Sequence, residues 1–132
     1  MEKQPIYIEK ELASNAENVI WSIISSAHGL EKWIADTVEE TEEGFRFTWG
    51  NIHSHHEVRE ARVLCIVKNK AVRLQWTDDA EPNEYWELRM SKSELTNDYI
   101  LGITDYALPE DLDSMNDIWE DNFARLHRHT GL

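Results

Sequence analysis

The sequence predicts an α+β fold, in which an antiparallel sheet of six to seven strands faces one long C-terminal helix. Three observations support this class. The hydrophobic period changes from about 3.6 to about 2 residues near Thr37, turn residues recur at short intervals up to Tyr106, and an apolar stripe of helical period follows Pro109. A chain of 132 residues can bury one hydrophobic core, so we expect residues 1–132 to form a single domain.

The N-terminal third predicts one strand and two short helices. A strand is expected at Pro5–Lys10, where apolar and polar residues alternate. Ser14 or Asn15 is the expected N-cap of the first helix, with Glu17 completing a capping box after Ser14. A second helix is expected at Ala27–Ala35. The apolar stripe of the first helix comprises Val19, Ile20, Ile23 and Ile24.

Six strands are predicted in the middle of the chain. They are placed at Thr37–Thr41, Phe45–Trp49, His56–Val67, Ala71–Thr77, Tyr85–Ser91 and Asp98–Tyr106. The breaks between them are expected at Glu43-Gly44, Gly50-Asn51, Asn69-Lys70, Pro82-Asn83 and Thr96-Asn97. Because side chains alternate between the two faces of a strand, one face of this sheet is expected to be aromatic and apolar. Its members are Phe45, Phe47, Trp49, Val72, Leu74, Trp76, Trp86, Leu88 and Met90.

The last helix is predicted from Pro109, which suits the first helical position, to Gly131, which suits the end. Acidic residues lie in its first turn and basic residues in its last turn, so both ends complement the helix dipole. Its apolar stripe is long enough to lie across a whole sheet. The stripe comprises Leu112, Met115, Trp119, Phe123 and Leu126.

Charge and composition exclude several classes of partner. Thirteen basic and 26 acidic residues give a net charge of −13, which repels nucleic acids and anionic membrane surfaces. We find no secretion signal and no apolar run long enough to span a bilayer, so we expect a cytoplasmic protein. Cys65, the only cysteine, lies in an apolar stretch; we expect a buried thiol, with no intrachain disulfide and no thiolate metal cage.

His53, His55 and His56 form the one dense group of candidate metal ligands. On a strand only the first two would share a face, so we favour a solvated hairpin loop over a metal site. The sequence contains no recognisable nucleophile with its base and no phosphate-binding glycine loop. We therefore predict no catalytic residue, no cofactor and no metal.

Acidic side chains are expected mainly in solvent. For Asp105, near the end of a strand, we favour a turn cap over a buried carboxylate with a raised pKa. The acidic runs Glu39–Glu43, Asp78–Glu84 and Glu110–Asp121 are expected to be solvated, which leaves a protein partner with a basic surface open as an alternative.

Several local motifs resemble one known family. They are Ile20-Trp21, then Leu30 with Lys32 and Trp33, then Gly44, Phe45, Phe47 and Trp49, then the segment from Ala61 to Trp76, and last Trp119 with Leu126. With these motifs in this order the chain resembles the START-like, or SRPBCC, superfamily, and it is most similar to the branch related to the activator of the heat-shock-protein ATPase (AHSA). Two departures concern loop geometry: residue 61 is Ala where many relatives have Gly, and Lys68–Lys70 lacks a common Pro.

The resemblance implies a helix-grip fold, whose curved sheet surrounds the C-terminal helix and leaves a cavity that holds lipids, polyketides or other apolar molecules in relatives. We therefore expect a non-enzymatic, bacterial-type domain that binds a small hydrophobic molecule. The alternatives are a co-chaperone-like interaction module and an enzyme of the cyclase or hydrolase type, and both monomer and dimer stay open. At any one position core filling is the favoured alternative to ligand contact. The predicted cavity residues are Trp33, Phe47, Trp49, Trp76, Trp86, Met90, Met115, Trp119 and Phe123.

Overall fold

The computed structural model describes residues 2–51, 53–78, 81 and 83–132. The strands are β1 (Gln4–Glu11), β2 (Thr37–Glu40), β3 (Gly44–Gly50), β4 (His56–Val67), β5 (Ala71–Trp76), β6 (Trp86–Lys92) and β7 (Tyr99–Ala107). The helices are α1 (Glu17–Ser25), α2 (Ala27–Leu30) and α3 (Leu112–Thr130), the last preceded by a 3₁₀ turn at Pro109–Asp111. Part of the predicted break at Pro82-Asn83 lies outside the described residues, as does part of the acidic run Asp78–Glu84.

All seven strands belong to one antiparallel sheet in the order β1-β7-β6-β5-β4-β3-β2. Consecutive strands from β2 to β7 are neighbours, and β1 pairs with β7, so the first and the last strand lie side by side at one edge. The predicted class, a curved antiparallel sheet with two short helices after the first strand and a long C-terminal helix, is confirmed.

The core lies between one face of this sheet and the helices. Alternate residues of β3, β5, β6 and β7 point to that face, as the period of 2 requires. From the other side α3 contributes Trp119, Phe123 and Leu126, which are all at most 4% exposed. The fully buried sheet residues include Phe47, Val72, Leu74, Leu88, Leu101 and Ile103.

Trp33 joins the three helical segments. Its indole N–H donates to the carbonyl of Ile23 at 3.1 Å, which ties the chain after α2 to α1. Its ring stacks on Phe123 of α3, with centroids 6.1 Å apart and an interplanar angle of 13°. Because Trp33 is fully buried, these contacts fix the position of α3 over the sheet.

The predicted start of the first helix is wrong in detail. Ala16, and not Ser14 or Asn15, is the N-cap, and no side chain caps the helix. The carboxylate of Glu17 instead accepts a 2.8 Å hydrogen bond from the Tyr99 hydroxyl. A partner distant in sequence therefore replaces the predicted capping box.

Three other helical predictions need correction. Val19 is 51% exposed, although it was placed in the buried stripe. The second helix ends at Leu30, since the chain from Glu31 to Ile34 continues as turns. Pro109 lies in the 3₁₀ turn before α3 and not at the first position of α3 itself.

The predicted end of the last helix is confirmed. Gly131 adopts a φ of 78°, a left-handed conformation that favours glycine, and its N–H donates to the carbonyl of His127 at 2.8 Å.

Cys65 is exposed, so the prediction of a buried thiol is wrong. The reason is the unequal length of neighbouring strands: β3 pairs with β4 only as far as Arg62, whereas β4 continues beside β5 to Val67. A register shift between Val63 and Cys65 also bends this end of the strand. Leu64, Ile66 and Val67 are about half exposed there as well.

Within the described ranges, no helix combines the length and the apolar character needed to cross a membrane.

Candidate functional site

Two adjoining pockets lie between the sheet and α3, and we call them the two lobes of one cavity. The larger lobe has a volume of about 610 Å³ and the smaller one about 190 Å³. Five residues line both lobes and so mark their junction: Arg59, Trp76, Trp86, Asp105 and Met115. The larger lobe is completed by Ile34, Trp49, Glu57, Ile118, Trp119, Asp121, Asn122 and Arg125. The smaller lobe is completed by Lys3, Glu84, Tyr85, Tyr106, Ala107, Leu108 and Asp111.

The sheet side of the cavity is a wall of aromatic rings in mutual contact. Trp76 and Trp86 stack with centroids 5.0 Å apart, and Phe47 meets both of them edge-on at 5.4 and 5.6 Å. On the helix side Trp119 lies 6.3 Å from Trp86. Such contacts stabilise the rings beyond their buried area, so the wall is supported independently of anything inside the cavity.

The nine predicted cavity residues divide into two groups. The cavity is lined by Trp49, Trp76, Trp86, Met115 and Trp119. The other four pack into the core around the cavity and are at most 4% exposed: Trp33, Phe47, Met90 and Phe123. The structure thus brings all nine to the region between sheet and helix, and ligand contact stays a prediction.

Asp105 links the last strand to α3. Its Oδ2 accepts a hydrogen bond from the indole N–H of Trp119 at 3.0 Å, and its Oδ1 accepts one from the backbone N–H of Tyr106 at 2.8 Å. Loss of hydration raises the pKa of this carboxyl, although the two hydrogen bonds and the charges of Lys3 and Arg59 oppose the rise. Asp105 is therefore not the simple turn cap that we expected.

Asp105 could have been placed in the cavity from the strand period alone. Leu101 and Ile103 are fully buried on the inner face of β7, and Asp105 is next in the same alternation. The alternation of buried residues contained this signal. A turn was favoured instead because Asp105 lies next to the predicted end of the strand.

Arg59 is a second charged residue at the cavity and, unlike Asp105, was not singled out by the sequence analysis. It stands on β4 opposite Phe47, so it points to the inner face. Its guanidinium lies 4.1 Å from the centre of the Trp76 ring, and two of its nitrogens donate to the Asp78 carboxylate at 2.9 Å each. The Trp76 ring and the Asp78 carboxylate together hold the positive charge of Arg59 at the edge of the cavity.

Arg125 borders the larger lobe from α3. One of its nitrogens donates to the carbonyl of Ala35 at 3.1 Å and to Asp36 at 3.2 Å. The same Asp36 accepts a 2.6 Å hydrogen bond from the N–H of Gly50. Through these bonds α3 is fastened to the end of β3, which shapes one side of the cavity.

One donor in the wall lacks an acceptor. The indole nitrogen of Trp86 is buried and makes no hydrogen bond within the described part of the chain. Since an unpaired buried donor is unfavourable, an acceptor atom on a bound molecule would improve its surroundings.

The histidine group does not converge with other candidate ligands. His53, His55 and His56 are exposed, and His56 Nδ1 lies 2.9 Å from the carbonyl of Ser54. No three His, Cys, Asp or Glu side chains among residues 2–51, 53–78, 81 and 83–132 are arranged to hold a metal ion.

Comparison with known proteins defines the family. The model of the START-like superfamily domain matches residues 1–132. The solution structure of BfR322 from Bacteroides fragilis is 35% identical, with a TM-score of 0.65 over 97% of this chain and 91% of that one. The chain belongs to the START-like superfamily, and the resemblance seen in its motifs is confirmed.

More distant structures share the fold alone. The Aha1 dimer from Colwellia psychrerythraea is 14% identical, with a TM-score of 0.70 over 97% of this chain and 98% of that one. CalU16 from Micromonospora echinospora is 16% identical, with a TM-score of 0.67 over 96% and 76%. A comparison with curated proteins gives no significant match.

Proposed function

We propose that this chain is a non-enzymatic START-like domain that binds a small, largely apolar molecule between the sheet and α3. The observation that supports this most strongly is the larger lobe of about 610 Å³, bounded by Trp49, Trp76 and Trp86 on the sheet side and by Met115 and Trp119 on the helix side. Apolar cavities of about 300–1,000 Å³ that contain a few polar groups are the usual binding sites of small molecules.

The construction of the wall supports the proposal further. Its rings are held by contacts with one another and by the fully buried Phe47 behind them, so a guest would meet a surface that is already in place. Met115 lines both lobes and has a flexible thioether side chain that adapts to different shapes. Each Å² of apolar surface that is removed from water contributes about 25 cal/mol to the free energy of binding. A flat hydrophobic guest would bury much of its surface against the rings.

Titration with the neutral fluorescent probe N-phenylnaphthylamine tests this proposal. We expect saturable fluorescence enhancement with one probe per chain. Met115→Trp should abolish it by filling the junction of the lobes, whereas Leu95→Trp, in a turn where Leu95 is 96% exposed, should not. Absence of saturable binding, or equal binding by Met115→Trp, would contradict the proposal.

Asp105 favours a second candidate, an enzyme of the cyclase or hydrolase type. General acid–base catalysis needs a titratable group within reach of the bound molecule, and this carboxyl borders both lobes. Incubating a bound compound with the native protein and with Asp105→Asn distinguishes the two functions. A product with a new mass or a new chromatographic retention time that forms only with the native protein supports the enzyme, and an unchanged compound supports the binding domain.

The third candidate is a co-chaperone-like interaction module. Its support is the net charge of −13, which would complement a basic partner surface. The decisive measurement is the ATPase rate of a purified heat-shock-protein ATPase with and without this protein. A rate that does not change with added protein removes this candidate.

A further inference from the structure

We infer that the molecule bound in the cavity carries a protonated amine, which hydrogen-bonds the Asp105 carboxylate while its apolar body lies against the tryptophans. This inference rests on the proposed function and specifies its ligand class. It follows from three properties of the cavity: the balance of its charges, the unused acceptor capacity of Asp105, and the way the aromatic wall already holds a cation.

The larger lobe has an excess of negative charge. The guanidinium of Arg125 is paired with Asp36, and that of Arg59 with Asp78. Neither of these two carboxylates lines the lobe, so each cation of the lobe has its counter-ion outside it. Three further carboxylates do line the lobe, and none of them has an ion-pair partner in the part of the chain that the structure describes: Glu57, Asp105 and Asp121.

This imbalance decides between classes of ligand head group. A carboxylate or phosphate on the guest would add repulsion inside the lobe, in a protein whose net charge is already −13. A neutral head group would leave the imbalance unchanged. A cation would be attracted by all three acids and would compensate the one that lies deepest, Asp105.

Asp105 has acceptor capacity left for such a guest. An ionised carboxylate can accept about four hydrogen bonds, and the structure supplies two, from Trp119 and from Tyr106. The nearby ammonium of Lys3 is engaged by Glu84 at 3.2 Å. Because the carboxyl group borders both lobes and its lost hydration is not fully replaced, an N–H donor entering from either lobe can hydrogen-bond it.

The aromatic wall is also suited to a cation. Arg59 already places its guanidinium 4.1 Å from the centre of the Trp76 ring, so the electrostatics of this wall favour positive charge on a ring face. Trp119 donates its N–H to Asp105, so the edge of its indole ring, and not the face, lies beside the carboxylate that would hold the ammonium. The guest would thus be held by one charge-assisted hydrogen bond and by contacts of its apolar body with the indole rings.

Calorimetric titration with three compounds that share one ring system tests the inference: naphthylethylamine, naphthylethanol and naphthylacetate. We expect the amine to bind about 10- to 100-fold more tightly than the alcohol, the range that a hydrogen bond between charged groups gives. The acetate should bind more weakly than the alcohol. In Asp105→Asn the advantage of the amine over the alcohol should fall about tenfold or more.

Asp113→Asn is the matched control, because it removes the same charge from an exposed position of α3 that does not line the cavity. It should leave the preference for the amine intact. Retained binding of the alcohol by Asp105→Asn shows that this variant is folded. Equal affinities for amine and alcohol, or an equal loss in both variants, would overturn the inference and leave the proposed function standing. Failure of all three compounds to bind would remove both.

Discussion

The indole N–H of Trp119 lies 3.0 Å from the carboxylate of Asp105, and this hydrogen bond joins the terminal helix to the last strand across the cavity. This one contact both holds α3 in place and gives the Asp105 carboxylate a hydrogen-bond donor. The helix cannot move away from β7 without leaving a partly buried acid with one donor fewer.

Replacing Trp119 by Phe should therefore destabilise the fold. The change keeps most of the apolar ring but removes a hydrogen bond to a charged group, and we expect a loss of about 1.5–3 kcal/mol in the free energy of unfolding. Urea denaturation of the native protein, both single variants and the Trp119→Phe/Asp105→Asn double variant gives the coupling energy. Additive losses would show that the hydrogen bond does not stabilise the protein.

Asp105→Asn should change how stability depends on pH. The pKa of Asp105 is raised in the folded protein. The ionised carboxylate is therefore less favourable in the folded protein than in the unfolded chain, where the pKa of Asp is about 3.9. This penalty is present above the folded pKa and disappears as the pH falls to the unfolded value. The free energy of unfolding of the asparagine variant, relative to that of the native protein, should thus be highest at pH 7. This relative advantage should decrease toward pH 4.

Denaturation curves at several pH values between 7 and 4 measure this difference. A difference that is constant, or that moves in favour of the variant as the pH falls, would contradict the assigned direction of the shift.

Two glycines of the sheet, Gly44 on β3 and Gly102 on β7, should respond differently to alanine. At Gly44 a Cβ would overlap the backbone carbonyl oxygen of Ala61, which cannot move without disturbing the β3–β4 pair. At Gly102 the overlap is with the hydroxyl of Tyr7, the end of a side chain that is 58% exposed and can turn away. We expect a loss of about 2–3 kcal/mol for Gly44→Ala and less than about 1 kcal/mol for Gly102→Ala.

Thermal unfolding of the two glycine variants side by side provides the measurement. Similar losses in both would mean that Tyr7 is held more firmly than its exposure indicates.

Cys65 should react quickly with a thiol reagent in the native protein. The residue is exposed, so dithionitrobenzoate should modify it in buffer at a rate within about tenfold of the rate in denaturant. Cys65→Ser should change the free energy of unfolding by less than about 0.5 kcal/mol, as is usual for surface positions. A thiol that reacts only after unfolding would contradict the exposed position.

The sequence was most informative where side-chain alternation has a single interpretation. The predicted strand at His56–Val67 matches β4 at both ends, and the strand predicted from Asp98 differs from β7 by one residue. Alternation along a strand fixes which residues share a face, so the sequence alone predicts which residues form the aromatic wall.

The incorrect predictions for Cys65 and Asp105 share one cause, the dependence of a residue's surroundings on neighbours far away in sequence. Cys65 has an apolar local context, but its burial depended on how far β3 extends beside β4. Asp105 follows the buried alternation of β7, but its role depended on Trp119, which is 14 residues away on another element. Local sequence patterns predict on which face of a strand a side chain lies. They do not predict which distant element packs against that face.

The order of elements along the chain has a consequence for synthesis. All seven strands precede α3, so the indoles of Trp76 and Trp86 leave the ribosome before the helix that shields them. At about 5–20 residues per second, the 19 residues of α3 need about one to four seconds to be made. During that interval the nascent chain exposes an aromatic, apolar surface. Binding of this surface to a chaperone or to another nascent chain competes with completion of the fold.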